Sequence, residues 1–486
     1  MPLILGTNSI KDTAFNVANS CRFDDGSTSY LHKTPSSGGN RRTFTFSSWF
    51  KRGTGFGNEQ AIFTGGNDAN ASGFFTIYFT TNDRIDAHFW NGSSFDSVTP
   101  NGVLRDSSAW THIVVGVDTT QSTASNRIKI YINGTEQTSL YSSDYPNQNH
   151  EFNVNHTAIM QVGVRRNGSG ALIGYFDGYL AETVLIDGTQ LDATSFGEFD
   201  EDSPTIWKPK DVSGLTVGTN GFYLDYEDSG NLGNDVYGGT DLTEVNLAAT
   251  NQSIDTCTNN FATFNPLITF PANPPDLSEG NLKVETVDQD PGQFGGASTI
   301  GVSQGKWYFE STSLSSRELV TAGGGTITHA VGIHSDPAEA ARQGTSFAPQ
   351  YTGGFIYALT GKYYSTATGS SGSSYGNSFA HDDIIGVAVD LDNHKLYFSK
   401  NGTFQNSGDP TSGSTGTGAI SIPTGLTYFA FVTDVGGSAN TSSINFGSPI
   451  NSISSGNADA NGFGNFEYAV PSGYFSLCTK NLAENG

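Results

Sequence analysis

Aromatic side chains flanked by small polar residues are the features of this sequence that could do chemistry, and that chemistry would be sugar recognition. A sugar ring packs on an exposed aromatic face, while nearby amides, hydroxyls and carboxylates bond its hydroxyl groups. Three segments have this character, and their candidate ligand-binding residues are Trp90, Tyr141, Tyr145, Tyr363, Tyr364 and Tyr375. Burial in a core is the competing interpretation for Trp90, whereas the Gly/Ser loop between Tyr364 and Tyr375 favours exposure.

Cleavage of a glycan would need a second kind of site, in which two carboxyl groups face one groove about 5–10 Å apart. Four acids on or beside predicted strands could be recruited: Glu182, Asp187, Glu310 and Asp390. Nothing in their spacing pairs them, and turn or solvent-facing roles are the alternative. Neither a zinc-protease motif nor a phosphate-binding loop is present. We therefore predict no catalytic residue, no required cofactor and no enzyme activity.

The charge balance limits the partners of the protein. With 47 acidic and 23 basic residues the formal net charge is −24. Nucleic acid is excluded as a partner, because a phosphate binder needs a clustered basic face and the basic residues here form only isolated pairs. The acidity itself has two interpretations: solubility with mutual repulsion between copies, or repetition of the chain on one particle.

The cysteine count and the apolar segments indicate in which cellular compartment the protein is made. Three cysteines lie far apart, so no disulfide framework is implied. The opening residues lack the basic and apolar regions of a signal peptide, and no apolar run approaches the ~20 residues that span a bilayer. We therefore expect no membrane insertion, synthesis in the cytoplasm of a host cell and release by lysis, as for a virion component.

The elements that must position the aromatic residues are strands. Residues 386–402 alternate apolar and polar side chains, turn, and alternate again up to Asn401-Gly402, and residues 116–134 repeat this pattern up to Asn133-Gly134. We predict an all-β protein with two β-sandwiches in tandem. The predicted divisions are an N-terminal arm (1–20), a first sandwich (21–200), a linker or extension (201–280), a second sandwich (281–450) and a C-terminal tail (451–486).

The first sandwich resembles the laminin-G-like, concanavalin-A-like jelly roll. Four blocks in the order usual for that family carry the resemblance: FTFSSWFKRG from Phe44, AWTHIVVGVD from Ala109, NRIKIYINGT from Asn126 and YFDGYLAETVLIDG from Tyr175. Many such modules carry one Ca²⁺ on the rim, and Asp118 matches the acidic position that those sites use. The resemblance thus implies a calcium ligand at Asp118, and an Asp118 that merely forms a turn is the alternative.

The second sandwich resembles the SPRY domain, another concanavalin-like sandwich. The matching blocks are GKWYFES from Gly305, AVGIHSD from Ala330, DDIIGVAVDLDNHKLYFSKNG from Asp382 and INFG from Ile444. The spacing from Asp382 to Gly402 is the most particular of these marks.

The order of segments along the whole chain resembles tail-fibre and other virion-surface proteins of bacteriophages. The flanking marks are ILGTNSIKD from Ile4, TNNFATFNPL from Thr258 and GYFSLCTKNL from Gly473. The resemblance implies a homo-oligomer, with a trimer expected first, that is attached to other virion proteins and binds a host-surface glycan or protein receptor. A polysaccharide depolymerase on the same scaffold and a capsid decoration protein without a receptor role are the alternatives.

Overall fold

The computed structural model describes residues 15–66, 73–268, 274–286, 293–315, 327–342, 352–435 and 440–486. The described residues separate into two compact units, the first ending at Thr258 and the second beginning at Asn259. Strands dominate both units, so the all-β prediction is confirmed. Within the described residues, no helix is long and apolar enough to cross a membrane.

The first unit is built from antiparallel strands in two large sheets. Its strands are β1 Ser20–Phe23, β2 Tyr30–Lys33, β3 Thr43–Arg52, β4 Gln60–Gly65, β5 Phe75–Phe79, β6 Ile85–Trp90, β7 Phe95–Pro100, β8 Thr111–Asp118, β9 Ile128–Ile132, β10 Thr135–Glu136, β11 Leu140–Ser143, β12 Met160–Val162, β13 Arg165–Arg166, β14 Leu172–Ile173, β15 Gly178–Asp187, β16 Gly197–Phe199, β17 Trp207–Pro209, β18 Phe222–Leu224, β19 Thr243–Val245 and β20 Gln252–Ser253. Sheet A has the order β10-β9-β8-β3-β15-β1-β20, with β18 also pairing with β15, and sheet B has the order β11-β7-β6-β5-β4-β12-β2-β19.

The second unit also has two large sheets. Its strands and helices are β21 Asp276–Ser278, β22 Lys283–Glu285, β23 Gln293–Val302, β24 Lys306–Ser313, β25 Ile327–His334, α1 Pro337–Arg342, β26 Gly354–Ala358, β27 Lys362–Ser365, β28 Ser373–Ser374, β29 Ile384–Asp390, β30 Lys395–Lys400, β31 Thr403–Phe404, β32 Ile420–Ser421, β33 Tyr428–Val435, β34 Thr441–Asn445, β35 Phe475–Ser476 and α2 Thr479–Asn485. Sheet C has the order β21-β22-β34-β24-β29-β30-β31, with β32 beside β30 and β35 beside β24. Sheet D has the order β23-β33-β25-β26-β27-β28.

The two predicted hairpins form in corresponding ways. Strands β8 and β9 pair with Val117 opposite Ile128, and β29 pairs with β30. Each second strand then ends in a two-residue Asn-Gly turn, at Asn133-Gly134 and at Asn401-Gly402, in which all four φ angles are positive. A type I′ turn requires positive φ at both central residues, which explains why Asn and Gly stand there.

Sheet A is buried on both faces. One face packs against sheet B through a core that includes Phe46 and Val115. The other face carries Trp49, Tyr179 and Ile186 and is covered by a second cluster that includes Phe196 and Trp207. Continuous burial explains why β3 and β15 are apolar or compact along almost their whole length, without the alternation of a half-exposed strand.

Sheet B is buried on both faces along β4, β5 and β12, and its outer face is partly accessible at β6, β7 and β11. Its inner face contributes Phe63, Ile77, Phe79 and Phe89 to the shared core. The alternate positions of its strands carry polar and aromatic side chains, as in β6, whose burial alternates at its last residues. Because successive side chains on a strand point to opposite faces, sheet B presents these residues away from the core.

In the second unit, additional segments cover the outer faces of both sheets. Helix α1 supplies Ala340 and Ala341, which pack on sheet D beside Phe431. The predicted C-terminal tail, 451–486, supplies Phe466 and Tyr474, which pack on sheet C. The tail also adds β35, which runs parallel to β24.

The structure describes parts of the segments that were predicted to flank the first sandwich, and these parts contact the first unit or contribute strands to its sheets. Residues 1–14 of the predicted arm lie outside the described residues, whereas Val17 bonds Thr258 through both its N–H and its carbonyl. The predicted extension, 201–280, contributes β18 and β20 to sheet A and β19 to sheet B. The predicted domain limits stay predictions, since two sandwich units can be divided at several nearby residues.

A bulge in β15 places a carboxyl group in the interior of the first unit. The register with β3 shifts between Ala181 and Val184, and Glu182 there has a φ of 50°. The Glu182 side chain accepts a 2.7 Å hydrogen bond from the hydroxyl of Tyr223. Burial raises the pKa of Glu182 to about 8, although the Tyr223 hydrogen bond opposes the shift.

We expect the first unit to lose stability as pH rises from about 5 to 8, because Glu182 binds its proton more tightly in the folded than in the unfolded chain. Glu182→Gln keeps an acceptor for Tyr223 without the charge, so it should remove about 2 kcal/mol of this loss. Urea unfolding at pH 5, 6.5 and 8 measures how the free energy of unfolding changes with pH in the parent protein and in Glu182→Gln. The same change with pH in both proteins would contradict the role given to Glu182.

Candidate functional site

The outer face of sheet B brings together polar and aromatic side chains from neighbouring strands. Strand β6 and the residue before it direct alternate side chains outward, namely Arg84, Asp86, His88 and Trp90. The inward set between them, Ile85, Ala87 and Phe89, belongs to the core. One amphipathic strand therefore anchors the face and fixes the direction of its side chains.

Cross-strand register extends this face into a row of hydrogen-bonding groups. Successive pairs in the register line up Ser97, His88, Thr76, Thr64, Gln161 and His32 on six adjacent strands. Neighbouring strands lie ~4.8 Å apart, so the row spans ~24 Å. Its three middle members, Thr76, Thr64 and Gln161, are fully buried, so a ligand could reach only the end members Ser97, His88 and His32, which are half-buried.

An aromatic group lies at one end of the row. The rings of Trp90 and Phe95 meet edge to face with centroids 4.9 Å apart, and His88 stacks on Phe95 at 5.2 Å. Phe95 is 42% exposed, so part of its ring faces solvent beside the polar groups. The group can therefore offer an aromatic surface to a ligand that also reaches the polar row.

The titratable groups on this face differ in charge state. Burial raises the pKa of Asp86 to about 7, although hydrogen bonds from Thr99 and Ser97 oppose the shift. Burial, with the positive charge of Arg165, lowers the pKa of His88 to about 4. At neutral pH His88 is thus an uncharged imidazole, able to donate one hydrogen bond and accept another.

Two further side chains complete the polar part of the face. Arg165 forms an ion pair with Glu59, and its guanidinium lies 5.1 Å from the ring centroid of Tyr78. Gln161 is fully buried within the row, and neither its amide nitrogen nor its oxygen has a hydrogen-bond partner among the described residues. A buried amide with no partner is costly, and because Gln161 is closed off from solvent its amide does not contribute to the accessible part of the face.

The three candidates in the first unit lie near this face but are not equivalent. Trp90 is half-buried in the aromatic group. Tyr141 on β11 is 67% exposed, and the guanidinium of Arg84 lies 4.9 Å from its ring centroid, which places it at the edge of the face. Tyr145 packs partly buried against the core, so little of its ring can contact a ligand.

The structure corrects the prediction for the tyrosines of the second unit. Tyr364 and Tyr375 are 4% and 6% exposed and belong to two hydrophobic clusters. Tyr363 packs partly buried on one of these clusters, with its ring 6.0 Å from that of Tyr375. Pairing of β27 with β26 explains the error, because alternate tyrosines enter the covered faces on either side of sheet D.

Asp118 has the contacts of a turn residue. Its Oδ1 accepts hydrogen bonds from the N–H and the hydroxyl of Thr120, and its Oδ2 accepts one from the amide of Gln121. Burial alone would raise the pKa of Asp118, yet these hydrogen bonds lower it. The calcium role of Asp118 stays a prediction, and the observed donors favour the turn-forming alternative.

The acids considered for hydrolysis serve the fold. Glu310 accepts hydrogen bonds from the backbone N–H groups of Glu467 and Tyr468, which anchors the C-terminal segment. Asp390 bonds Asn393 in its own turn and lies 3.0 Å from Lys306. Asp187 accepts from the N–H groups of Asn40 and Asn220, and Glu182 from Tyr223.

Two Gly-x-Ser-x-Gly matches lie at residues 301–305 and 372–376. A nucleophilic serine needs this pattern at a sharp turn from a strand into a helix. Residues 301–305 instead join β23 to β24, and residues 372–376 include the short strand β28. Neither serine is therefore presented as a nucleophile.

Comparison with known families defines the class of the two units. A family model described as the concanavalin A-like lectin/glucanases superfamily matches residues 25–191, and a model of the SPRY domain matches residues 306–422. The chain therefore contains a laminin-G-like, concanavalin-like domain followed by a SPRY domain. The first match spans all strands of sheet B except β19. The comparison with curated proteins returned no match.

The solved structures that resemble part of this chain include a pentraxin, a SPRY domain and a CBM40. A heptameric SAP-like pentraxin from Limulus polyphemus has 14% identity and a TM-score of 0.28, covering 37% of this chain and 80% of the pentraxin chain. The SPRY domain of human HERC1 has 14% identity and a TM-score of 0.27, with coverages of 37% and 96%. The CBM40 of a Ruminococcus gnavus IT-sialidase bound to α2,3-sialyllactose has 16% identity and a TM-score of 0.23, with coverages of 31% and 87%.

Sequence reasoning missed most of the polar part of the face. Asp86, His88 and Phe95 belong to it, and none of them is prominent in the sequence. The alternation of Arg84 to Trp90 was a usable signal for an outward-facing set. The register that brings Thr76, Thr64 and Gln161 into line was not available from the sequence, because these strands come from distant segments.

Proposed function

We propose that the protein binds carbohydrate through the outer face of sheet B and does not cleave it. The observation that carries the proposal is that the exposed Phe95 contacts both the half-buried Trp90 and His88 of the polar row. An aromatic surface packs on the apolar face of a sugar ring, and uncharged donors and acceptors bond its hydroxyls. The match of this domain to a lectin and glucanase superfamily supports the same ligand class.

The exposed aromatic pair gives the proposal a matched test. We expect Phe95→Ala to lower glycan affinity at least about tenfold, since truncating an aromatic anchor typically costs more than 1 kcal/mol. Glycan-array screening of the fluorescently labelled protein, followed by calorimetry on the tightest oligosaccharide, measures the loss.

Phe199→Ala is the control for this experiment. Phe199 is 44% exposed, and its ring meets Trp207 edge to face at 4.9 Å, so its surroundings copy those of Phe95 away from sheet B. The control should keep full affinity. Equal losses for the two variants, or no array glycan bound by the parent protein, would contradict the proposal.

A polysaccharide depolymerase is the second candidate function. Its candidate acid is Asp86, because burial raises the pKa of this carboxyl group to about 7, in the range of a general acid. A depolymerase would release shorter oligosaccharides from the polysaccharide that it binds, and Asp86→Asn would abolish the release. A binding protein would retain the polymer intact, as we propose.

We further propose that the glycan lies on a host cell and that the protein is displayed on a virion. This step rests on the resemblance of the segment order to phage tail-fibre proteins, which also implies a trimer and attachment to other virion proteins. Many weak contacts on one particle would multiply the affinity of each site. Particles that lack this chain should adsorb poorly to host cells. Normal adsorption would indicate the decoration-protein alternative.

A further inference from the structure

Three carboxylates meet at one end of sheet A, and none of them belongs to the proposed carbohydrate face. Strands β1 and β15 are paired with Phe23 opposite Gly178, so the next residues outward are Asp24 and Asp177. Among the described residues, Asp24, Asp25 and Asp177 form a group in which one oxygen of each lies within 4.8 Å of the others. The pairing of β1 with β15 therefore holds Asp24 beside Asp177.

Asp177 is the unusual member of this group. Its side chain is 1% exposed, and its Oδ2 accepts hydrogen bonds from the N–H and the hydroxyl of Thr54, at 2.5 and 2.7 Å. Its Oδ1 is buried and has no hydrogen-bond partner among the described residues. An unsatisfied carboxylate oxygen is costly to bury, so Oδ1 needs a ligand or a proton.

The electrostatics of the group favour a cation. The carboxylates of Asp24 and Asp25 lie beside the buried carboxylate of Asp177, so three like charges repel one another when all are ionised. The chain thus brings negative charges to a partly buried point, and Asp25 is exposed, which leaves a path from solvent. A bound cation would offset this repulsion.

We propose that Asp24, Asp25 and Asp177 form a calcium site. All three ligands are hard oxygens, as Ca²⁺ prefers. Oxygens that each lie ~2.4 Å from one ion are at most ~4.8 Å apart, and each of the three carboxylates offers an oxygen within that distance of the other two. Backbone carbonyls and water would supply the remaining ligands. The site is separate from Asp118, and it would tie the start of β15 to the end of β1.

Calorimetry of the full-length, EDTA-treated protein with CaCl2 tests the site. We expect binding by the parent protein and at least a tenfold weaker affinity for Asp177→Asn and for Asp25→Asn, since even changes beyond the ligand shell cost about 10- to 100-fold. Asp118→Asn is the matched control and should bind as the parent does. Loss of binding in Asp118→Asn alone, no binding by the parent at millimolar CaCl2, or a preference for MgCl2 would overturn the proposal.

Thermal unfolding separates an ion site from a purely structural carboxylate. Saturating CaCl2 should raise the Tm of the parent protein by about 5 °C and leave Asp177→Asn unchanged. In EDTA, Asp177→Asn should be at least as stable as the parent, because it loses a buried charge and no ion. A variant that is less stable in EDTA yet keeps the full calcium shift would overturn the proposal. Because Asp25 is exposed, Asp25→Asn gives the same test without disturbing the interior.

Discussion

Replacing Asp255 with alanine is expected to lower the free energy of unfolding of the first unit by about 4 kcal/mol. The Lys51 ammonium lies 2.8 Å from Asp255 Oδ2, and both side chains are 1% exposed. The indole N–H of Trp110 donates to Asp255 Oδ1 at 3.0 Å. Removing the carboxylate would leave a buried ammonium without its counter-ion and a buried indole N–H without its acceptor.

Two comparisons separate this effect from a general loss of contacts. Glu136→Ala breaks the exposed pair of Lys129 and Glu136 and should cost less than about 1 kcal/mol. The double substitution Lys51→Met with Asp255→Leu removes both charges and should recover much of the stability lost by Asp255→Ala. Denaturant unfolding, with hydrogen exchange to assign the transition to the first unit, measures all three. Equal costs for Asp255→Ala and Glu136→Ala would contradict the account.

The second large effect is expected at Asp459, whose replacement with alanine should cost the second unit about 3 kcal/mol. Asp459 is 7% exposed and accepts five hydrogen bonds from the C-terminal segment. The donors are the N–H groups of Asn461, Phe463 and Ser476, the hydroxyl of Ser476 and the amide of Asn481. The segment that covers sheet C is therefore organised around one carboxylate.

Asp409→Ala is the matched control for Asp459. Asp409 makes the same kind of turn with Thr411, through that residue's N–H and hydroxyl, but it is exposed. Its loss should cost less than about 1 kcal/mol, because water can replace the acceptor. Hydrogen exchange should show faster opening of β35 and α2 in Asp459→Ala alone. Unchanged protection of these elements would refute the role of Asp459.

Much of the fold follows from local pattern. The alternation of Ile384–Asp390 and Lys395–Lys400, with the Asn401-Gly402 turn, specifies two paired strands and their facing residues without further information. The equivalent pattern at β8 and β9 does the same for the first unit. Both sandwiches were therefore predictable from the sequence.

Coverage of the outer faces was not predictable in the same way. Tyr364 and Tyr375 lie in a Gly/Ser-rich stretch that looks polar, yet their rings are buried. Tyr364 is enclosed by residues such as Ala341 and Ile268, which are distant in sequence. Period-2 alternation states which residues share a face, but it does not state whether a distant segment covers that face.

The candidate site depended on the same missing information. Trp90 could be singled out as an aromatic residue at a strand end, and it does lie in the aromatic group of sheet B. Its neighbours Phe95 and His88 gain their meaning from register, since His88 lies opposite Ser97 on one side and Thr76 on the other. The face of sheet B is distinctive mainly because the outer faces of sheets A, C and D carry packed apolar clusters.

A crystal structure of the protein with its tightest array oligosaccharide tests the central claim most directly. We expect a sugar ring packed on Phe95 or Trp90, with its hydroxyls bonded by the half-buried His88 and Ser97 beside them. The sugar should remain uncleaved after prolonged incubation. A sugar bound in the SPRY domain with sheet B empty would contradict the claim.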